Sequence, residues 1–84
     1  MKKNVIISII GLGYVGLPLA IEFSRKYKVI AYDLDKKRIE ELKKNNDKTN
    51  EINRDKLKKI KNIFFTNNKD HLKDSNTFII TVPT

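Results

Sequence analysis

The sequence lacks several residue types that catalytic and structural sites commonly use. Its 84 residues include no cysteine and no tryptophan, and only one histidine, two prolines and three glycines. Without cysteine, these residues contain no disulfide, no thiolate metal site and no cysteine nucleophile. The single histidine, His71, has no second histidine or cysteine with which to share a metal, so we expect a surface residue there. The lack of cysteine fits a reducing compartment, and we expect a cytoplasmic protein.

Long apolar runs are also absent. The N-terminus has basic residues followed by an apolar run, as a secretory signal does, but Gly11, Gly13, Gly16 and Pro18 interrupt that run. A strand that ends in a glycine turn explains the pattern better than a signal peptide does. No uninterrupted apolar stretch approaches the roughly 20 residues that cross a bilayer. We therefore expect no membrane association.

Acidic residues are in the minority, with 10 Asp and Glu against 18 Lys and Arg and a net charge of +8. Such a balance raises nucleic acid as a possible partner. Residues 36–61 hold eleven of the basic residues and five acidic ones, with apolar residues at helical spacing and no aromatic residue between them. This pattern is more typical of a solvated helix face than of a nucleic-acid surface. We expect no nucleic-acid partner.

Hydrophobic periodicity predicts strands that alternate with helices. The predicted strands are Asn4–Ile10, Lys28–Asp33, Asn62–Thr66 and Thr77–Val82. The predicted helical segments are Tyr14–Lys26, Lys36–Asn45, a short helix that begins at Asn53, and a turn over Asp70–Lys73. This alternation predicts right-handed crossovers and an α/β fold with a parallel sheet. Because the chain ends directly after a strand, we expect residues 1–84 to be the N-terminal part of a larger domain.

Each predicted helix has an apolar side that should face the sheet. These residues are Val15, Leu19, Ala20 and Phe23 in the first helix, Ile39 and Leu42 in the second, and Leu57 and Ile60 in the third. Asp35 and Asn53 precede the second and third helices, where a side-chain oxygen can cap the first turn. Residues 45–53 are polar and predict a connection.

All three glycines fall in one hexapeptide, "GLGYVG" from Gly11 to Gly16, between the first strand and the first helix. This is the G-x-G-x-x-G pattern, in which the first glycine permits a tight turn. The second lets the backbone approach a pyrophosphate, and the third lets the helix pack on the strand. The phosphates would lie at the helix N-terminus. The alternative is a tight turn whose glycines serve packing alone.

Asp33 strengthens the dinucleotide interpretation, because it ends the second strand 20 residues after Gly13. A carboxylate at this distance bonds the adenosine ribose hydroxyls. It would also repel a 2′-phosphate and favour NAD over NADP, although the basic residues at positions 36–38 weaken that preference. Asp33 and Asp35 could pass for paired catalytic carboxylates, but one ribose ligand and one helix cap account for both.

Several longer motifs identify a family. The segments "GLGYVGLPLA", "DLDKKRI", "NNDKTNE" and "TFIITVPT" together resemble the N-terminal domain of the UDP-glucose/GDP-mannose dehydrogenase family over essentially the whole chain. Asp47, Thr49 and Glu51 most resemble the branch that oxidises UDP-N-acetylhexosamines for surface polysaccharides, which includes the Vi-antigen type. The alternative is that these three residues only shape a loop.

The resemblance implies a double oxidation, in which the C6 alcohol of a nucleotide sugar becomes a carboxylate at the expense of two NAD. It also implies two Rossmann-like domains joined by a long helix that forms a homodimer. In the family, the cysteine nucleophile, the catalytic lysine and the catalytic acid lie beyond the position of Thr84. The resemblance therefore implies that this chain alone is inactive.

The resemblance also assigns cofactor-binding residues in addition to the three glycines. Tyr14 and Val15 would contact the pyrophosphate through their backbone, and Asp33 would hold the ribose. Arg38 would lie against the adenine end, and Thr84 near the second half of the cofactor. The alternatives are that Tyr14 only packs at the helix start and that Arg38 is one more solvated base.

Three other functions remain as alternatives. The first is another NAD-dependent dehydrogenase, such as a hydroxyacid enzyme, with the same first domain. The others are a non-catalytic nucleotide-sensing module and nucleic-acid binding through the basic region. The combination of "GYVGLPLA" and "TVPT" favours the nucleotide-sugar dehydrogenase.

Overall fold

A computed structural model describes residues 5–44 and 62–81, which form one parallel sheet with helices. The strands are β1 (Ile6–Ile10), β2 (Lys28–Tyr32), β3 (Ile63–Thr66) and β4 (Thr77–Ile80). The helices are α1 (Gly16–Ser24), α2 (Lys36–Lys43) and a 3-10 helix (Lys69–Asp74). Each described element was predicted, with ends that differ by one or two residues. The predicted helix after Asn53, with Leu57 and Ile60, and the polar connection before it lie outside the described residues.

The strand order is β3-β2-β1-β4, and each neighbouring pair is parallel. The chain steps outward from β1 to β2 and β3, then crosses back to place β4 on the other side of β1. The strand order therefore reverses between β1 and β4. In open parallel sheets, ligands bind in the crevice at the carboxyl ends of the strands where this reversal occurs. The predicted α/β fold with a parallel sheet is confirmed.

The hydrophobic core lies between the sheet and the two α-helices. Ile9 of β1 and Ala31 of β2 are fully buried and cluster with Leu17 of α1. Ile39 and Leu42 of α2 belong to the same cluster, as their helical spacing predicts. Side chains alternate between the faces of a strand, so the continuous apolar run of β1 supplies residues to both faces of the sheet.

The predicted inner face of α1 is rotated from the observed one. Val15 precedes the helix and is 65% exposed, so its prediction as a core residue is wrong. The buried positions in the helix are Gly16, Leu17, Ala20, Ile21 and Ser24, whereas Leu19 and Phe23 are partly buried. The physical reason is the close approach of Gly16 to Gly11, which fixes where the helix begins. The face of the helix that carries Leu17 is thereby turned toward the sheet.

His71 differs from the expected surface residue. Its ring is half-buried, and Nδ1 lies 2.6 Å from the Thr66 hydroxyl oxygen. The ring also meets Phe64 edge-on, with 4.9 Å between the centroids. The Asn68 N–H donates to the same Thr66 oxygen, so His71 and Thr66 fix the turn after β3. The sequence carried no signal that His71 of the 3-10 helix would pair with Thr66 of β3.

The face of the sheet opposite the α-helices is more open. Phe64, Phe78 and Ile80 are exposed on the two outer strands. Ser8 is fully buried at the centre and donates to the Ser75 hydroxyl at 2.6 Å, which ties the end of the 3-10 helix to β1. In the described ranges, no helix is both long enough and apolar enough to span a membrane.

Candidate functional site

The carboxyl ends of the four strands are held side by side by backbone hydrogen bonds. The Gly11 N–H donates to the Tyr32 carbonyl at 2.9 Å, and the Asp33 N–H donates to the Thr66 carbonyl at 3.2 Å. On the other side of β1, the Thr81 N–H donates to the Ile10 carbonyl at 2.9 Å. The glycine loop (Gly11–Gly16), Asp33 and Thr81 therefore share one rim of the sheet.

Gly11 begins the glycine loop in a conformation that needs glycine. Its φ is +100°, in the left-handed region that side chains disfavour. A Cβ at this position would also overlap the carbonyl oxygen of Thr81. The prediction that Gly11 permits a tight turn is confirmed.

Gly16 is required by packing. It is buried at the first position of α1, and a Cβ there would overlap the carbonyl oxygen of Gly11. It would also lie 2.8 Å from the Thr81 hydroxyl oxygen. The predicted close contact of the helix with the end of the first strand is confirmed.

Gly13 differs from the other two glycines, because a Cβ there would meet no atom of residues 5–44 and 62–81 within 4 Å. Gly13 is exposed, as are Tyr14 and Val15 beside it. Helix α1 follows at once, and no side chain from the described residues caps its first turn. The free N–H groups and the dipole of a helix start attract anions. The open space in front of this turn leaves room for a pyrophosphate, and the binding of the phosphates there stays a prediction.

Asp33 joins the glycine loop to the start of α2. Its Oδ2 accepts a hydrogen bond from the Leu12 N–H at 2.8 Å, and its Oδ1 accepts one from the Asp35 N–H at 2.9 Å. A carboxylate oxygen has a second lone pair, so Asp33 can still accept from ribose hydroxyls. Asp35 caps α2 by accepting from the N–H groups of Lys37 and Arg38, which confirms its predicted role.

Arg38 is buried, with 8% of its surface exposed, so the interpretation as a solvated base is wrong. Its Nε donates to the Leu12 carbonyl at 2.7 Å. Leu12, itself buried, is thus held at its N–H by Asp33 and at its carbonyl by Arg38. The spacing of four between Arg38 and the core residue Leu42 was the sequence signal for burial. The predicted contact of Arg38 with the adenine end stays a prediction.

Thr81 is the functional-site residue that sequence reasoning missed. Its hydroxyl donates to the Gly11 carbonyl at 2.7 Å, directly behind the glycine loop. The sequence placed Thr81 inside a strand, whereas β4 ends at Ile80 and Thr81 begins the loop. A polar residue at the carboxyl end of a parallel strand was the available signal. Thr84, predicted to lie near the second half of the cofactor, is outside the described residues.

A parallel sheet in this order, with a glycine turn that opens a helix and an acid after the second strand, defines a Rossmann-like dinucleotide-binding domain. Residues 5–84 match the UDP-glucose/GDP-mannose dehydrogenase family, NAD binding domain. The chain belongs to this family, as its motifs predict, and its cofactor is NAD.

The relatives that this chain matches are much longer proteins. The protein CapL of Staphylococcus aureus is 51% identical over 84 residues, which are 100% of this chain and 19% of CapL. A UDP-N-acetyl-D-glucosamine 6-dehydrogenase of Pseudomonas aeruginosa is 44% identical over 98% of this chain and 19% of its own length. The structure of a UDP-N-acetyl-D-mannosamine dehydrogenase from Pyrococcus horikoshii matches with a TM-score of 0.85 and 36% identity, over 93% of this chain and 20% of that one. The chain thus spans about a fifth of the length of these relatives.

Proposed function

We propose that this chain is the NAD-binding portion of a nucleotide-sugar 6-dehydrogenase that acts on a UDP-N-acetylhexosamine. The observation that carries the cofactor site is the open space at Gly13, next to a loop that Asp33 and Arg38 hold in place. The substrate class is supported by the relatives, one of which is named a UDP-N-acetyl-D-glucosamine 6-dehydrogenase. The name CapL supports a role in surface polysaccharide synthesis.

Within this proposal, each part of the site has one task. The backbone of Gly13, Tyr14 and Val15 binds the pyrophosphate at the start of α1. Asp33 accepts hydrogen bonds from the adenosine ribose, and Arg38 lies toward the adenine end. Thr84, which lies outside the described residues, keeps its expected role near the second half of the cofactor. NAD itself supplies the hydride acceptor, and two NAD are used for each sugar that is oxidised from alcohol to carboxylate.

The remaining chemistry belongs to a longer protein in this proposal. The chain has no cysteine that could carry the second oxidation. In the family the catalytic lysine and acid also lie beyond the position of Thr84, so we expect the chain to be inactive by itself. A further domain would bind the nucleotide sugar, and the full protein would be a cytoplasmic homodimer. The family membership favours this function over a hydroxyacid dehydrogenase or a nucleotide sensor.

Cofactor binding is tested by exchanging one carboxylate at a time. Asp33→Asn removes a charged acceptor for the ribose and should weaken NAD binding about tenfold. NADP should change much less, because the repulsion of its 2′-phosphate is removed together with the lost hydrogen bond. Isothermal titration of the chain with both nucleotides measures the ratio.

The matched control is Asp35→Asn, which removes the same charge two residues away and keeps a good helix cap. The NAD-to-NADP ratio should remain close to that of the original chain. An unchanged ratio in Asp33→Asn would exclude Asp33 from the ribose site.

The substrate is tested with a full-length protein that contains this segment. Formation of NADH is followed with a panel of UDP-hexoses and UDP-N-acetylhexosamines. Two NADH for each molecule of one UDP-N-acetylhexosamine is the expected result. Binding of NAD without turnover of any sugar would support the cofactor site and contradict the proposed reaction.

A further inference from the structure

Thr81 occupies the space behind the glycine loop. Its N–H continues the sheet by donating to the Ile10 carbonyl at 2.9 Å, so its backbone is fixed to β1. Its side chain then reaches the residue that follows β1 and donates to the Gly11 carbonyl at 2.7 Å. The same hydroxyl lies 3.3 Å from the Ile10 carbonyl, a longer second contact.

The Thr81 hydroxyl lies close to both structural glycines of the loop. A Cβ at Gly11 and a Cβ at Gly16 would each stand 2.8 Å from its oxygen. The hydroxyl therefore fills the gap between the end of β1 and the start of α1. Because Thr81 is anchored by the β4 ladder, this contact fixes the loop relative to the far side of the crevice.

The loop has two further anchors, both at Leu12. Asp33 accepts from the Leu12 N–H, and Arg38 donates to the Leu12 carbonyl. These two bonds come from β2 and α2, on one side of β1, whereas the Thr81 bond comes from β4, on the other side. With consecutive carbonyls of Gly11 and Leu12 both held, the backbone that follows has a fixed direction.

We propose that Thr81 is a positioning residue of the cofactor site, an inference that rests on the proposed binding of the pyrophosphate by the glycine loop. Its hydroxyl holds the Gly11 carbonyl, so that the backbone of Gly13, Tyr14 and Val15 is presented to the phosphates. Thr81 does not need to touch NAD for this role. Loss of the hydroxyl should therefore weaken ligands that carry phosphates and leave adenosine alone unaffected.

Two variants that differ by one oxygen atom test the proposal. Thr81→Ser keeps the hydroxyl, and Thr81→Ala removes it. The probes are ADP, which carries the pyrophosphate, and adenosine, which does not, and each is titrated into the isotope-labelled chain with NMR detection. We expect Thr81→Ala to weaken ADP about fivefold, the usual effect of one lost hydrogen bond, and adenosine less than twofold. Thr81→Ser should bind both as the original chain does.

Other results would overturn the inference. If Thr81→Ala weakens ADP and adenosine equally, or if Thr81→Ser is as weak as Thr81→Ala, the residue has only a general structural role. If the original chain binds neither NAD nor ADP, the proposed function fails. The backbone amide signals of Gly13, Tyr14 and Val15 then decide separately whether Thr81 positions the loop. Signals that move in Thr81→Ala and stay in place in Thr81→Ser support positioning, and signals unchanged in both contradict it.

Discussion

The two sides of the glycine loop have opposite surroundings. On the inner side, Gly11, Gly16 and Thr81 are in such close contact that neither glycine could carry a Cβ. On the outer side, Gly13 and Tyr14 are exposed, and the space in front of Gly13 is open. Folding therefore requires glycine at positions 11 and 16, whereas the described residues show no such requirement at Gly13.

The contrast separates the glycines that folding requires from the one that we predict to serve the ligand. Glycine costs roughly 0.5–1 kcal/mol relative to alanine where the backbone is regular, because more freedom is lost on folding. At Gly16 the close approach to Gly11 explains why glycine is present in spite of that cost. At Gly13 neither a left-handed φ nor an atom of the described residues supplies an explanation. A cofactor that approaches the backbone closely supplies one.

The largest loss of stability should come from a substitution on the inner side of the glycine loop. Gly16→Ala forces the new methyl group into the Gly11 carbonyl, and neither backbone can move without breaking the contact of α1 with β1. Overpacking of this kind should cost at least about 3 kcal/mol, at the upper end of its usual range. Thermal unfolding followed by circular dichroism measures the loss. An unchanged midpoint would show that the loop can open away from α1.

The outer side should separate binding from stability. Gly13→Ala places a methyl group in open space, so the folded chain should be unchanged or up to about 1 kcal/mol more stable. NAD binding should weaken at least tenfold, because the methyl group stands where the pyrophosphate must approach the backbone. The measurements are a thermal melt and an NAD titration of the same sample. Normal affinity for NAD in this variant would place the phosphates elsewhere.

Much of this contrast was predictable because it depends on local sequence. Strand β1, the glycine loop and the start of α1 follow one another without interruption, and each has its own periodicity or turn signal. Asp33 was found by its distance from Gly13, since the length of α1 sets that distance. Asp35 was found because a helix cap is a contact between near neighbours.

The features that escaped prediction depend on contacts between distant parts of the chain. Thr81 contacts Gly11 from 70 residues away, and periodicity carries no information about such a pair. For Arg38 the solvated base stayed open as an alternative, because its hydrogen bond to the Leu12 carbonyl depends on where the glycine loop passes. Val15 was placed in the core because its spacing fits the predicted helix from Tyr14, whereas the observed helix begins at Gly16, directly after Val15. The strand order, too, follows from which side each crossover takes and not from any single segment.

The smallest effect should be at Tyr14, whose side chain lies on the outer side of the glycine loop with 68% of the residue's surface exposed. If the cofactor uses only its backbone, Tyr14→Ala should change NAD affinity less than twofold. The stability should stay within about 0.5 kcal/mol, as for other exposed positions. The same NAD titration and thermal melt apply. A loss of NAD affinity above fivefold with normal stability would show that the phenol ring itself covers the bound cofactor, and the outer side of the loop would then contribute a side chain as well as backbone.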